Sequence, residues 1–309
     1  MIGKCKSMAQ WSNETKGMIY GLLGVIGFSL TLPTTKIAVS FFDPIVVGLG
    51  RAIIAAILAA ILLIICRERF PSAKELKSLV IVSLGVIVGF PLLSAWAMQR
   101  VPATHGAIVL ALLPLATAGA ATFFAGERPS RSFWLASCVG SLTVLAYAVY
   151  SGVGHLQLAD LALAGAVVAA AIGYAEGGKL ARTMGGWQVI SWALVIACPF
   201  LIYPVAMQLP ANIWQAPMDV WLSFGYVSII SQFVGFFAWY RGLALGGVAR
   251  VSQTQYLQPF FTIVGSAIIL GETITWFSVA AAIIVITAVA RGKNAPVKIA
   301  SPSQKAPVG

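Results

Sequence analysis

The sequence predicts an all-α integral membrane protein of ten transmembrane helices, arranged as two inverted five-helix repeats. Three observations carry that prediction. Hydrophobic residues fill 59% of the 309 positions and charged residues only 9%, a balance that a water-exposed surface of this size does not tolerate. The apolar residues fall in ten continuous stretches of roughly 20, the length that spans a hydrocarbon core. Finally, Leu113-Pro114 through Gly126-Glu127-Arg128-Pro129 and Gln258-Pro259 through Gly271-Glu272-Thr273 share one pattern, a proline, a helical stretch and a Gly-Glu exit, 145 residues apart.

The spans are expected near 17–38, 45–66, 78–98, 105–125, 132–151, 160–181, 187–208, 220–240, 250–270 and 274–290. The first follows a short, polar, basic segment, 1–16, with no small-residue cleavage site after it, so it is expected to stay as an uncleaved anchor. Asp43 before Pro44, Asp160 and Asp219 open the second, sixth and eighth spans and read as helix caps. The Gly-Glu pairs end the fourth and ninth, and their repetition predicts a role in the fold, bracing a loop. The runs are twice as long as barrel strands and do not alternate, which excludes a membrane β-barrel. Residues 17–151 and 152–290 form the two repeats; 291–309, basic and rich in Pro, Ser and Lys, is expected to be a disordered tail.

The net charge of +11 follows topology. With both termini inside, Lys4, Lys6, Lys16, Arg67, Arg69, Lys74, Lys77, Arg128, Arg131, Arg182, Arg241, Arg250, Arg291, Lys293, Lys298 and Lys305 fall on the cytoplasmic side and Arg100 alone on the other. That asymmetry is the positive-inside bias and excludes a nucleic-acid patch. Cys5, Cys66, Cys138 and Cys198 have no paired spacing, which predicts neither disulfide nor metal site. No phosphate-cradling loop and no His-Glu-x-x-His is present, so neither an ATPase nor a metalloenzyme is expected, and no cofactor.

Five spans per unit is an odd number, so the second copy enters the membrane from the opposite side. Ala95-Trp96 against Ala238-Trp239 and Lys36-Ile37-Ala38 against Lys179-Leu180-Ala181, each 143 residues apart, support the duplication. With Pro114 and Gly126-Glu127-Arg128, Pro259 and Gly271-Glu272, and Lys36 closing the first span eight residues after Phe28, the chain resembles the EamA-type ten-helix family of the drug/metabolite transporter superfamily over about residues 17–290. The resemblance implies secondary transport, most often export, across a bacterial inner membrane, through a cavity lined by the first, third, fourth, sixth, eighth and ninth spans. Phe28-Ser29 stands where members often carry Trp-Gly.

Polar faces of those spans supply the candidates. Glu176, in Gly173-Tyr174-Ala175-Glu176-Gly177-Gly178-Lys179, is the carboxylate deepest within a span and a candidate for proton coupling or substrate contact; Lys179, one turn on, offers the alternative of a structural ion pair. Lys36 shares a helical face with Ser29 and Pro33 and either meets a substrate carboxylate or snorkels to the interface. Arg51, on a span expected at the periphery, either serves the substrate or bonds backbone carbonyls. Ser252, Gln255, Tyr256 and Pro259 form one stripe at helical spacing, flanked by Gln253 and Gln258, and read equally as a binding face or interhelical glue. Gln232, Gly235, Phe236 and Trp239 form another, and Trp96 is a cavity wall or an interfacial anchor. His105 is expected to be solvated. Gly27, Pro33, Pro114, Gly173, Gly235 and Pro259 are candidate hinges.

The functional expectation is a carrier exporting small metabolites, amino-acid-like or amphipathic, by alternating access, driven by proton exchange or a solute gradient. A multidrug carrier for lipophilic cations and a non-transporting membrane subunit are the rivals. Expected partners are a small-molecule substrate, the bilayer and protons.

Overall fold

The computed structural model describes residues 12–150, 158–270, 276, 280, 283 and 297–299. The tenth predicted span apart from three residues, the Gly271-Glu272 exit, the segment 1–11 and most of the tail lie outside the described residues. Among the described residues six helices are long and apolar enough to cross a membrane: Asn13–Ala38, Val46–Ile65 (α3), Ala73–Met98 (α4), Leu158–Leu180 (α8), Gly186–Met207 (α9) and Met218–Gly246 (α10). Ala103–Leu110 (α5), the shorter apolar Leu113–Phe124 (α6), Arg131–Tyr150 (α7), Val248–Ser252 (α11) and Gln258–Leu270 (α12) complete the helices used below. Their outward side chains, among them Ile57, Ile61, Ile64, Phe123, Phe200 and Ile268, are exposed and apolar, as a bundle solvated by lipid requires.

Helix starts lie earlier than expected, for local reasons. The first helix begins at Asn13 because the Ser12 side chain accepts from the Thr15 amide at 3.2 Å. The third span begins at Ala73 rather than 78: Ser72 and Glu75 form a reciprocal capping box, and Arg69 closes on the Glu75 carboxylate at 2.6 and 3.1 Å. Both are Ser-x-x-Glu or Ser-x-x-Thr signals lying in the polar run before the apolar one.

Three spans expected as continuous helices are interrupted near prolines. The first divides into Asn13–Ser29 (α1) and Thr31–Ala38 (α2). Pro33 has no N–H for the Ser29 carbonyl four residues back, and the Thr262 hydroxyl takes its place, donating to that carbonyl at 2.7 Å. The fourth span divides into α5 and α6, parted at Ala111-Leu112 just before Pro114. The ninth is α11, a tight 3₁₀ segment Gln253–Leu257 and α12, with Pro259 in the first turn of α12.

Three other spans carry a wider π-helical stretch: Val46–Gly50 at the start of α3, Ser83–Gly89 in α4 and Val227–Val234 in α10. Such stretches are rare and concentrate where a helix is distorted for function.

Glycines set the closest packing. α1 lies against α10, where a Cβ on Gly17 would fall 2.5 Å from the Gly246 nitrogen and one on Gly242 would fall 2.7 Å from the Gly21 nitrogen. Without a hydrophobic drive in lipid, such backbone approach is what holds helices together. α8 runs through the interior against α4, α5, α6 and α10, and there a Cβ on Gly85 would meet the Gly173 backbone at 3.0 Å. Of the tail expected to be disordered, Val297–Ile299 is ordered as a strand paired antiparallel with Glu127–Pro129, whose backbone is left free by the turn at Gly126, φ +65°.

Candidate functional site

The three π-helical stretches meet around Arg51. Arg51 is the first residue after the stretch in α3 and is 2% exposed. Its Nε donates to the Gln232 Oε1 at 2.9 Å and its Nη2 to the Ser231 hydroxyl at 3.2 Å, both acceptors lying in the stretch of α10. The Gln232 amide nitrogen donates in turn to the Val86 carbonyl at 3.1 Å, within the stretch of α4. Ser231 and Thr31 share a hydrogen bond of 2.7 Å across to α2. The second span is therefore not peripheral: it delivers the guanidinium to the middle of the bundle, and its partners are side chains of α10 rather than backbone carbonyls.

A cavity opens beside this network, lined by Phe28, Thr31, Arg51, Val86, Phe90, Leu113, Tyr174, Ser231, Phe236 and Gln258. It is narrow. It has room for no more than about one water molecule. On one side an aromatic layer closes it: Phe28 and Phe236 lie 5.0 Å apart, Tyr174 lies 5.2 Å from Trp239 and 6.0 Å from Phe236, and Tyr240 stands 5.3 Å behind Phe236. Two buried polar groups nearby in sequence to the lining have no partner among the described residues. They are both amide atoms of Gln255, one turn before Gln258, and the Trp239 indole nitrogen. Unpaired polar atoms in a dry interior are costly.

The remaining predicted residues distribute as follows. Gln232, Phe236 and Tyr174 belong to the cavity, and Trp239 to its aromatic layer. The stripe on the ninth span does not survive the 3₁₀ segment, because a tighter turn sends its members to different neighbours. Tyr256 donates to the Ser137 carbonyl at 2.7 Å and pairs with Ser141; Gln253 reaches the Ser137 hydroxyl at 2.7 Å; Ser252 bonds the Ala249 carbonyl at 2.8 Å. Gln258 lines the cavity. Ser29 folds back on the Val25 carbonyl at 2.6 Å. Lys36 donates to the Val101 carbonyl at 3.0 Å and borders a surface pocket of about 510 Å³ with Met98 and Arg100. Trp96 lies at that same end, 3.7 Å beneath the Arg100 guanidinium, in a cation–π contact.

Glu176 is 4% exposed and accepts from the Ser78 hydroxyl, with Lys179 at 3.4 Å. It does not line the cavity. Glu127, the carboxylate of the first Gly-Glu pair, is fully buried and accepts from the Val248 and Ala249 amides at 2.8 Å each and from Arg182 at 2.5 Å. It thereby caps α11, with Gly247 at φ +86° making the approach to the chain's next turn. His105, expected in solvent, is buried instead and bonds Asp160, so Asp160 is a partner for α5 as well as the opening of α8. Asp43 accepts from the Ile45 amide at 2.8 Å in the manner of a cap. Of the hinge candidates, Pro33, Pro114 and Pro259 fall at helix interruptions, whereas Gly173 lies within unbroken α8 in close packing against α4.

Sequence reasoning underrated Arg51 and missed Ser231, Thr31 and Val86. The available signal was the arginine itself, seven residues into an apolar run with no carboxylate at helical spacing.

The model of a family described as the EamA-like transporter family matches residues 15–149 and again 157–290. A protein of Bacillus subtilis (strain 168) named an uncharacterized transporter, YdeK, is 45% identical over 284 residues, 92% of this chain and 99% of the relative. A probable terminal-alkyne amino-acid exporter of Streptantibioticus cattleyicolor is 25% identical over 256 residues, 81% of this chain and 84% of that protein. A solved crystal structure at 15% identity superposes with a TM-score of 0.72 over 90% of this chain and 96% of its own, a likeness of fold alone.

Proposed function

Because the chain belongs to the EamA-like transporter family, we propose that it is a secondary carrier that exports small amphipathic or amino-acid-like metabolites by alternating access. The protein is a multi-pass membrane transporter and not an enzyme. The observation that carries the proposal is the central cavity. It is buried and walled by aromatic and aliphatic side chains, with a few convergent polar groups, the composition of a small-molecule site, and it is nearly closed, with room for about one water molecule. Ten spans in two inverted halves, with both termini on the cytoplasmic side of a bacterial inner membrane, supply the frame; the family match to two successive segments and the one-sided basic residues support it. Access alternates about the cavity by bending at the interruptions near Pro33, Pro114 and Pro259. The name of the Streptantibioticus relative supports amino-acid-like cargo and export.

Glu176, on α8 but outside the cavity itself and held by Ser78 and Lys179, is the candidate for proton coupling. The rival reading, efflux of lipophilic cations, draws on the aromatic layer but lacks a carboxylate among the residues lining the cavity.

The test is counterflow in proteoliposomes over a panel of amino acids, organic acids, sugars and lipophilic cations, with and without a pH gradient. Exchange of one class is expected, with its gradient response lost in Glu176→Gln. Unchanged pH response in Glu176→Gln eliminates the coupling role, and no exchange from folded protein eliminates the carrier.

A further inference from the structure

Arg51 is a permanent cation in the middle of a bundle where an isolated charge is costly. The other buried arginine among the described residues, Arg250, shows how this chain answers that cost: it meets Glu14. Among the described residues no carboxylate pairs with Arg51; its partners are the neutral Gln232 and Ser231. Those bonds engage Nε and Nη2, two of the five N–H groups that the guanidinium presents as a planar fork. The partners are themselves fixed, Gln232 by the Val86 carbonyl and Ser231 by Thr31. The fork is therefore oriented in advance, at the wall of a cavity, by three distorted helices and with its charge unanswered.

In this nearly closed form the space holds about one water molecule, so a solute enters only as the helices part; the walls it then meets suit the body of a small organic acid. Phe28, Phe90, Phe236, Val86 and Leu113 are apolar, and Gln258 offers an amide. A cation in this space would face Arg51 with no carboxylate on the wall to receive it.

We infer that Arg51 is the anchor for a carboxylate of the transported solute, and that the substrate class is a small monocarboxylate, zwitterionic or anionic, with an apolar or aromatic body. The inference rests on the carrier reading above and gives that carrier its substrate chemistry.

The experiment compares counterflow of leucine and phenylalanine, each as the free acid, the amide and the decarboxylated amine, together with 4-methylpentanoate, glucose and tetraphenylphosphonium, in reconstituted full-length protein. Exchange of at least one acid is expected, with its amide and amine about 100-fold weaker, because a site built to pair one group rejects the analogue that leaves it unpaired. Arg51→Gln is expected to abolish the preference for acid over amide. Arg51→Lys, which keeps the charge and loses the fork, is expected to raise KM for the acid about tenfold. A structural arginine would lower acid and amide exchange together and leave their ratio unchanged, and that result overturns the inference. So does exchange of glucose or tetraphenylphosphonium with none of the acids, which leaves the carrier standing. No exchange of any solute overturns the carrier reading and the inference with it. Where Arg51→Gln fails to fold, Arg51→Lys decides: a KM raised for the acid and not for the amide supports the anchor, and equal effects on both overturn it.

Discussion

Removing the Glu127 carboxylate is predicted to loosen the bundle at one end by far more than any other single charge change. The side chain is fully buried and accepts three hydrogen bonds, from the Val248 and Ala249 amides at 2.8 Å and from Arg182 at 2.5 Å. Two of the donors are the first amides of α11, where the helix dipole also favours a negative charge. In Glu127→Gln, the amide oxygen can accept from one backbone N–H, but the amide nitrogen then points a donor at the other, and the charge that Arg182 answers is gone. Hydrogen bonds to a charged group contribute about 1.5–3 kcal/mol each, and a buried donor left unpaired costs about 1–3 kcal/mol. Losing one backbone bond and most of the ion pair therefore amounts to about 3–4 kcal/mol. Arg182 is 26% exposed on its side chain, so water takes up its freed donors in Glu127→Gln; Arg182→Gln leaves the carboxylate its two backbone amide donors and should cost less, about 1–2 kcal/mol. The assay is unfolding of the purified protein in detergent, followed by loss of helical circular dichroism and by dispersion of a labelled monomer. The reasoning fails if Glu127→Gln lies within 1 kcal/mol of the parent, or if Arg182→Gln is the costlier change.

Two further predictions come from the packing. Gly242→Val places a side chain within 2.7 Å of the Gly21 backbone nitrogen, so α1 and α10 must part; a loss of about 2 kcal/mol or more is expected in the same unfolding assay, whereas Gly225→Ala, with nothing within 4 Å of its added carbon, should be neutral. Thr262→Val removes the donor that satisfies the Ser29 carbonyl beside Pro33 and should cost about 1 kcal/mol; in Pro33→Ala the backbone N–H returns and the same threonine change should cost little, a coupling that a double-mutant cycle measures directly.

What was legible in the sequence was whatever depends on composition or on fixed spacing. The apolar runs gave the six membrane-length helices of the described residues, and the Gly-Glu pattern marked a position with a structural duty, which Glu127 discharges by capping α11. Capping signals at Ser12 and Ser72 were also present, hidden because they lie in the polar residues that hydropathy discards. The direction in which a side chain points was not legible. A helical face projected at 3.6 residues per turn holds only while the turn is uniform. The 3₁₀ segment Gln253–Leu257 divided the expected stripe of Ser252, Gln255, Tyr256 and Pro259 between α7 and the interior. One extra residue in a π turn rotates everything beyond it by about 100°, and no composition signal marks Val46–Gly50 or Val227–Val234 as π-helical. Arg51 was accordingly assigned to the rim of the bundle on the rank of its span, although its chemistry argued for the centre.

The distorted segments and the tight ones divide the molecule in a way that bears on movement. Where backbones touch through glycine, α1 on α10 and α4 on α8, a Cβ would collide with main chain, and sliding is opposed by close contact along the interface. A proline or a wide turn interrupts a helix at Leu30, at Ala111-Leu112, at Gln253–Leu257 and in the three π stretches; at two of these places a carbonyl is bonded by a side chain, as Thr262 serves Ser29 and Gln232 serves Val86. Side-chain bonds of this kind are worth little individually in a membrane, on average about 0.6 kcal/mol, and are exchanged at small cost. Phe28, Thr31, Arg51, Val86, Leu113, Ser231 and Gln258, which wall the cavity, lie within or next to such segments. The carrier mechanism proposed above therefore needs no hinge distant from the site: a solute that takes bonds from Arg51 and Gln232 acts directly on the places where the helices are already broken, while the glycine contacts carry the displacement outward as rigid pairs.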